Sequence, residues 1–97
     1  MKYGRMKIKN DETKIVGKWI FSDGKMFADE QCERIQWLTT NYLKKIGTDK
    51  TGWEVLFQDP DDNRYWERIY PDGEMHGGGP ASLILLTESE ARDKYTF

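Results

Sequence analysis

Trp53-Glu54-Val55-Leu56-Phe57-Gln58, Asp59-Pro60-Asp61-Asp62-Asn63 and Arg64-Tyr65-Trp66-Glu67-Arg68-Ile69-Tyr70 form the stretch that decides the fold. Two runs of aromatic and β-branched residues flank five residues of turn chemistry, which predicts a β-hairpin. Symmetric pairing places Glu54 opposite Arg68, Leu56 opposite Trp66 and Phe57 opposite Tyr65. Trp53, Val55, Phe57, Tyr65 and Ile69 then make a core face. Glu54, Leu56, Gln58, Arg64, Trp66, Arg68 and Tyr70 make a mixed face with a cross-strand ion pair. The same register puts Glu67 on the core face, so either the pairing slips by one residue or Glu67 is buried against a donor.

On the N-terminal side, Asp29 is a good N-cap, and Glu30 and Glu33 place negative charge in the first helical turn. Cys32, Ile35, Leu38, Tyr42, Leu43 and Ile46 recur at helical spacing, Lys44 and Lys45 fall in the last turn, and Gly47 ends the helix. Trp37 lies opposite this stripe, either packed under a loop or offered to a partner. Earlier still, Ile15 to Phe21 reads as a strand, Ser22-Asp23-Gly24-Lys25 as a tight turn, and Met26-Phe27 as the start of the return strand. Residues 1–13 are polar and read as a short leader, flexible over residues 1–12, or as an edge strand.

On the C-terminal side, residues 71–81 read as a loop and Leu83 to Leu86 as a short strand covered on both sides. Thr87-Glu88-Ser89-Glu90 fits a capping box that opens a short helix through Tyr95. The whole is expected to be an α+β fold in a single domain over residues 1–97. It has an antiparallel sheet of about five strands, one long helix packed on it and a short C-terminal helix.

A chain of 97 residues supports one small core, and its four Trp, five Tyr and four Phe supply much of the buried area that core needs. One cysteine, Cys32, excludes an internal disulfide, and the run Leu83–Leu86 is far short of the ~20 apolar residues that span a bilayer. Charge is uneven along the chain. Residues 1–14 carry Lys2, Arg5, Lys7, Lys9 and Lys14 against Asp11 and Glu12, whereas residues 59–90 carry eight acids against Arg64 and Arg68. Such an acidic half is either a solvated face or a surface that attracts basic protein partners.

Catalytic constellations are missing from the pattern. His76-Gly77-Gly78-Gly79 is similar to the oxyanion-hole loop of esterases, but no Gly-x-Ser-x-Gly elbow accompanies it. The glycines are followed by Pro80-Ala81-Ser82, not by the Lys-Ser/Thr of a phosphate loop. The spacing of His76, Cys32 and the carboxylates does not form a zinc site, and Cys32 sits on the apolar helix stripe. Asp59, Asp61 and Asp62 depart from a calcium loop because Pro60 interrupts them and the distal Glu is missing.

Several strings taken in order resemble the immunity protein 27 family. They are Cys32-Glu33-Arg34-Ile35 with Trp37-Leu38, Gly52-Trp53-Glu54, Asp59-Pro60-Asp61, Arg64-Tyr65-Trp66-Glu67, Tyr70-Pro71 and Glu74-Met75-His76-Gly77-Gly78-Gly79-Pro80. The resemblance runs from about residue 6 to residue 95, and Met6-Lys7-Ile8-Lys9 is similar to the family's usual start. It implies a small bacterial cytoplasmic protein that binds and blocks a cognate polymorphic toxin in interbacterial competition, with no catalysis, cofactor or metal. A monomer with no nucleic-acid or membrane partner is expected. The expected contact surface is Trp66, Arg68 and Tyr70 with an acidic rim of Asp59, Asp61 and Asp62, extended by Glu74 and His76; alternatively, Trp66 and Tyr70 are buried under the 71–81 loop. Three other readings compete: a ligand-binding or hydrolase-like domain using the His76 loop, a nucleic-acid module using Lys2, Arg5, Lys7 and Lys9, and a structural subunit.

Overall fold

The computed structural model describes residues 7–71 and 79–97. Five strands, β1 (Lys14–Val16), β4 (Lys44–Thr48), β5 (Val55–Gln58), β6 (Tyr65–Ile69) and β7 (Ser82–Leu86), form an antiparallel sheet in the order β1-β7-β6-β5-β4. The strands β2 (Trp19–Ser22) and β3 (Lys25–Ala28) make a separate hairpin. It turns through Asp23 and Gly24, both left-handed at φ 52° and 75°, which suits the twist of a two-residue hairpin. Helix α1 (Glu30–Trp37) begins where the Cys32 N–H donates to Asp29 Oδ1 at 2.9 Å. Helix α2 (Glu88–Lys94) begins with the expected capping box, in which the Thr87 and Glu90 side chains each accept the other's backbone N–H.

The helix expected to reach Ile46 stops at Tyr42. Thr39 Oγ1 donates back to the Ile35 carbonyl at 2.9 Å, a competition that loosens the helical ladder. The segment Leu38–Tyr42 is a π-helical turn, closed by the Leu43 N–H on the Leu38 carbonyl at 2.7 Å. Lys44, Lys45 and Gly47 then pair with β5 as an edge strand, so they belong to no helical turn, and Gly47 follows a bulge at Ile46. Without β4, the outer edge of β5 would leave backbone donors and acceptors unpaired over a buried core.

The strands β5 and β6 pair one residue out from symmetry: Val55↔Arg68, Leu56↔Glu67, Phe57↔Trp66 and Gln58↔Tyr65. That slip moves β6 side chains to the opposite face relative to β5. Val55, Phe57 and Trp66 therefore pack beneath α1 with Ile15, Ile35, Leu38, Leu43 and Leu83. On the other face, Leu56 packs with Ala91 and Tyr95 from the α2 segment. The sheet is covered on both sides. Both of the alternatives open at Glu67 hold: the register slips, and Glu67 is 4% exposed with donors at hand. The Tyr95 hydroxyl donates to Glu67 Oε2 at 2.7 Å, and Lys94 Nζ lies 2.7 Å from the same oxygen while also pairing with Glu54.

Residues 7–12 are held against this body. Arg34 pairs with Glu12 at 2.5 Å and donates to the Lys7 carbonyl, and Arg64 donates to the carbonyls of Lys9, Asn10 and Glu12. Between β1 and β2, the Gly17 N–H bonds the Ala81 carbonyl at 3.0 Å. A Cβ at Gly17 would lie 2.5 Å from that oxygen and 2.7 Å from Cys32 Sγ, so only glycine permits this approach.

Candidate partner-binding surface

The acidic rim is built by the turn between β5 and β6. Asp59 is 1% exposed, and its Oδ1 accepts the Asp61 N–H at 2.8 Å while its own N–H bonds the Arg64 carbonyl. The Tyr42 hydroxyl lies 2.9 Å from Asp59 Oδ1 and 2.6 Å from Asp61 Oδ2; burial and these two acceptors push the phenol well above its ordinary range. Asp62 pairs with Arg64 at 2.6 Å. Asp59 is therefore a loop organiser and not a rim charge, because one residue had to receive the turn's inward N–H groups. Asp61 and Asp62 are exposed.

The expected aromatic and arginine anchors lie at the other end of the hairpin. Five residues at roughly 3.3 Å each separate Tyr65 from Tyr70, so the structure does not bring the acidic rim and the anchors together. Trp66 is 0% exposed under α1, with Arg64 over its ring at 5.2 Å, and it has no surface to give a partner. The register slip turns it into the α1-side core; residues 72–78 of the loop expected to cover it lie outside the described residues. Arg68 and Tyr70 are half-buried and adjacent: the Arg68 guanidinium carbon stands 5.6 Å from the Tyr70 ring centroid and 5.9 Å from that of Phe57. Trp53 meets Tyr70 edge-on at 6.5 Å and is 69% exposed, although the symmetric register had placed it in the core. Glu74 and His76 lie outside the described residues.

The sequence reading did not single out the β2–β3 hairpin as a surface. Phe21 is 72% exposed, and Ile20 and Phe27, cross-strand partners, are exposed too. Their signal was present in Trp19-Ile20-Phe21: consecutive apolar residues in a two-stranded hairpin cannot all face one core. Trp37 is half-buried and stacks on Tyr42 at 6.1 Å, against the α1-side core.

Cys32 donates to the Lys18 carbonyl at 3.4 Å, and burial, followed by the neighbouring Asp29 carboxylate, pushes its thiol up, away from the reactive thiolate. Among the described residues no cluster of His, Cys, Asp or Glu could hold a metal ion, and no helix is long and apolar enough to cross a membrane. By fold and surface this is a small α+β domain with two filled cores, and with aromatic, acidic and arginine side chains outside them. The chain belongs to the Immunity protein 27 family, whose model matches residues 21–87, from β2 to the cap of α2. The family's name marks an immunity protein, the counterpart of a toxin. Comparison with curated proteins and with solved structures finds no match.

Proposed function

We propose that the chain neutralises a cognate bacterial toxin by direct, stoichiometric binding, acting in the cytoplasm as a monomer and without catalysis. The observation that carries this reading is the exposed apolar hairpin on a member of an immunity family. Ile20, Phe21 and Phe27 stand outside both cores, where burial by a partner is the way to remove them from water. Phenylalanine is among the residues enriched in the cores of protein interfaces.

Co-expression with the toxin domain encoded beside the gene tests the proposal. Survival of the host and recovery of a one-to-one complex are expected. Ile20→Ser with Phe27→Ser should weaken that complex at least about tenfold, since the pair would otherwise bury two large apolar side chains. A protein that neither rescues growth nor binds the domain is not its immunity protein.

A further inference from the structure

Arg68 is exceptional among the described arginines. Arg34 holds Glu12, Arg64 holds Asp62, and Arg92 holds Glu88. Arg68 makes no ion pair or hydrogen bond to any described residue, and its Nε is sealed from solvent without an acceptor. The sealed Nε is closed to a partner as well as to water, but Arg68 as a whole is half-buried and lines an open groove, so the rest of its guanidinium is an unpaired cation within reach of a carboxylate. Here the neighbours are the Phe57 and Tyr70 rings, which fix the guanidinium but accept no hydrogen bond in its plane.

The same arginine lines a groove of about 410 Å³ between the α1–π-turn segment and the β6–β7 end of the sheet. Gln36, Thr39 and Thr40 form the opposite wall, Tyr70 and Ala81 the near one, and no described lining residue is acidic. The groove thus offers one fixed positive fork facing neutral amide and hydroxyl groups. A guanidinium fork matches a carboxylate in shape and charge, and a carboxylate is the anion that a protein partner's side chains supply. Tyr70 also borders the neighbouring cleft, lined by exposed Trp53 and by Asp49, Thr51 and the Lys94-paired Glu54, so the acidic residue itself must sit on the Arg68 side while its flanking chain reaches the indole. An arginine beside a half-buried tyrosine, with an exposed tryptophan next to it, is the composition of an interface anchor.

We infer that the Arg68 groove receives an Asp or Glu side chain of the cognate toxin, whose carboxylate pairs with the Arg68 guanidinium while the flanking chain packs on Tyr70 and Trp53. This rests on the toxin-binding reading and adds to it the chemistry of one contact. It is the reverse of the polarity expected from the acidic half of the chain: bulk charge draws a basic partner, and this pocket fixes register through one acidic residue.

The test is the affinity of the full chain for the toxin domain encoded beside its gene, measured by calorimetry. Arg68→Gln should weaken the complex roughly 10- to 100-fold, and Arg68→Lys, which keeps the charge but loses the fork, should fall between. Gln36→Glu, at an exposed helix position, sets a competing carboxylate in the groove and should weaken binding without unfolding the chain; it decides the matter if Arg68→Gln does not fold. Arg68→Glu should be rescued by changing one toxin Asp or Glu to Arg. If the parent chain binds the toxin and Gln36→Glu and Arg68→Gln bind equally well, the groove is not a contact and the inference fails alone. If Arg68→Gln weakens binding but no acidic toxin residue matters, the carboxylate assignment is wrong. A parent chain that does not bind the toxin removes both readings.

Discussion

Glu67 and Trp66 are neighbours in β6 that face opposite layers, and each is decided by what lies across from it. Glu67 is buried, yet it is held by the Tyr95 hydroxyl and Lys94, which tie α2 to the sheet. Burial and the Glu67 carboxylate push the Tyr95 phenol up, so it stays a donor through the physiological range. Tyr95→Phe should therefore cost about 1–3 kcal/mol in urea unfolding, because a buried acceptor loses a donor. Trp66→Ala should cost about 3–5 kcal/mol, the usual loss for a large aromatic in a filled core. Trp53→Ala should leave stability within about 0.5 kcal/mol, as expected for an exposed residue. Equal losses at Trp66 and Trp53 would contradict the slipped register. The sequence located both strands and the discomfort at Glu67. It could not settle the face of either tryptophan, because side-chain period is two and one residue of slip reverses it. The turn resolves it: Asn63 adopts φ 64° and Asp59 bonds Arg64, an asymmetric closure that composition does not encode.

At the scale of elements, the starts of the helices were legible and the end of the long one was not. Asp29 and Thr87 announce their caps locally, since a cap is a contact over three residues. Helical spacing continues through Leu43 and Ile46, but each is claimed by a different layer, Leu43 by the α1-side core and Ile46 by the α2-side one. What stops the helix is the need of β5 for a neighbour, a non-local demand. The segment before β1 is likewise fixed from afar, by Arg34 on Glu12. The Arg34 hydrogen bond holds the Glu12 carboxyl below its ordinary value of 4.5, against the opposing effect of burial. A lowered folded pKa means the stabilisation is complete above pH 4.5 and is lost as pH falls below that value through the folded one. Amide exchange at Lys9 and Glu12, whose backbone bonds close this segment, should accelerate as pH drops from 6 toward 3 relative to the intrinsic rate. Glu12→Gln should abolish that excess. A flat protection profile across this range would mean that the ion pair does not hold the segment.

Across the whole molecule, charge that looks like one acidic half in the sequence is redistributed by the fold. Glu67 is consumed inside and Asp59 is buried, so neither projects to solvent. The start of α2 meets the β5–β6 turn: Glu88 and Glu90 line one groove with Asn63 and Arg64, beside exposed Asp61 and Asp62. Carboxylates from two distant segments thus gather at one pole around Arg64, and Arg68, Tyr70 and Trp53 lie toward the other end of the hairpin. Under the proposed toxin binding, the two poles would do different work on encounter. Long-range attraction acts on the rate of association and is screened beyond a Debye length of about 10 Å at 0.1 M salt. Close packing of aromatic and arginine side chains acts on the rate of dissociation. Asp61→Asn with Glu88→Gln should therefore slow association with the cognate toxin several-fold at low salt, and the difference should vanish at high salt while dissociation stays unchanged. Trp53→Ala should instead speed dissociation at either salt concentration. Stopped-flow association and surface-bound dissociation measured on the same variants separate the two effects. Under the proposed binding, a toxin drawn by the acidic pole would carry a basic face while the Arg68 groove takes a carboxylate, so its docking surface would present both signs, and their spacing would distinguish the cognate toxin from a merely basic one.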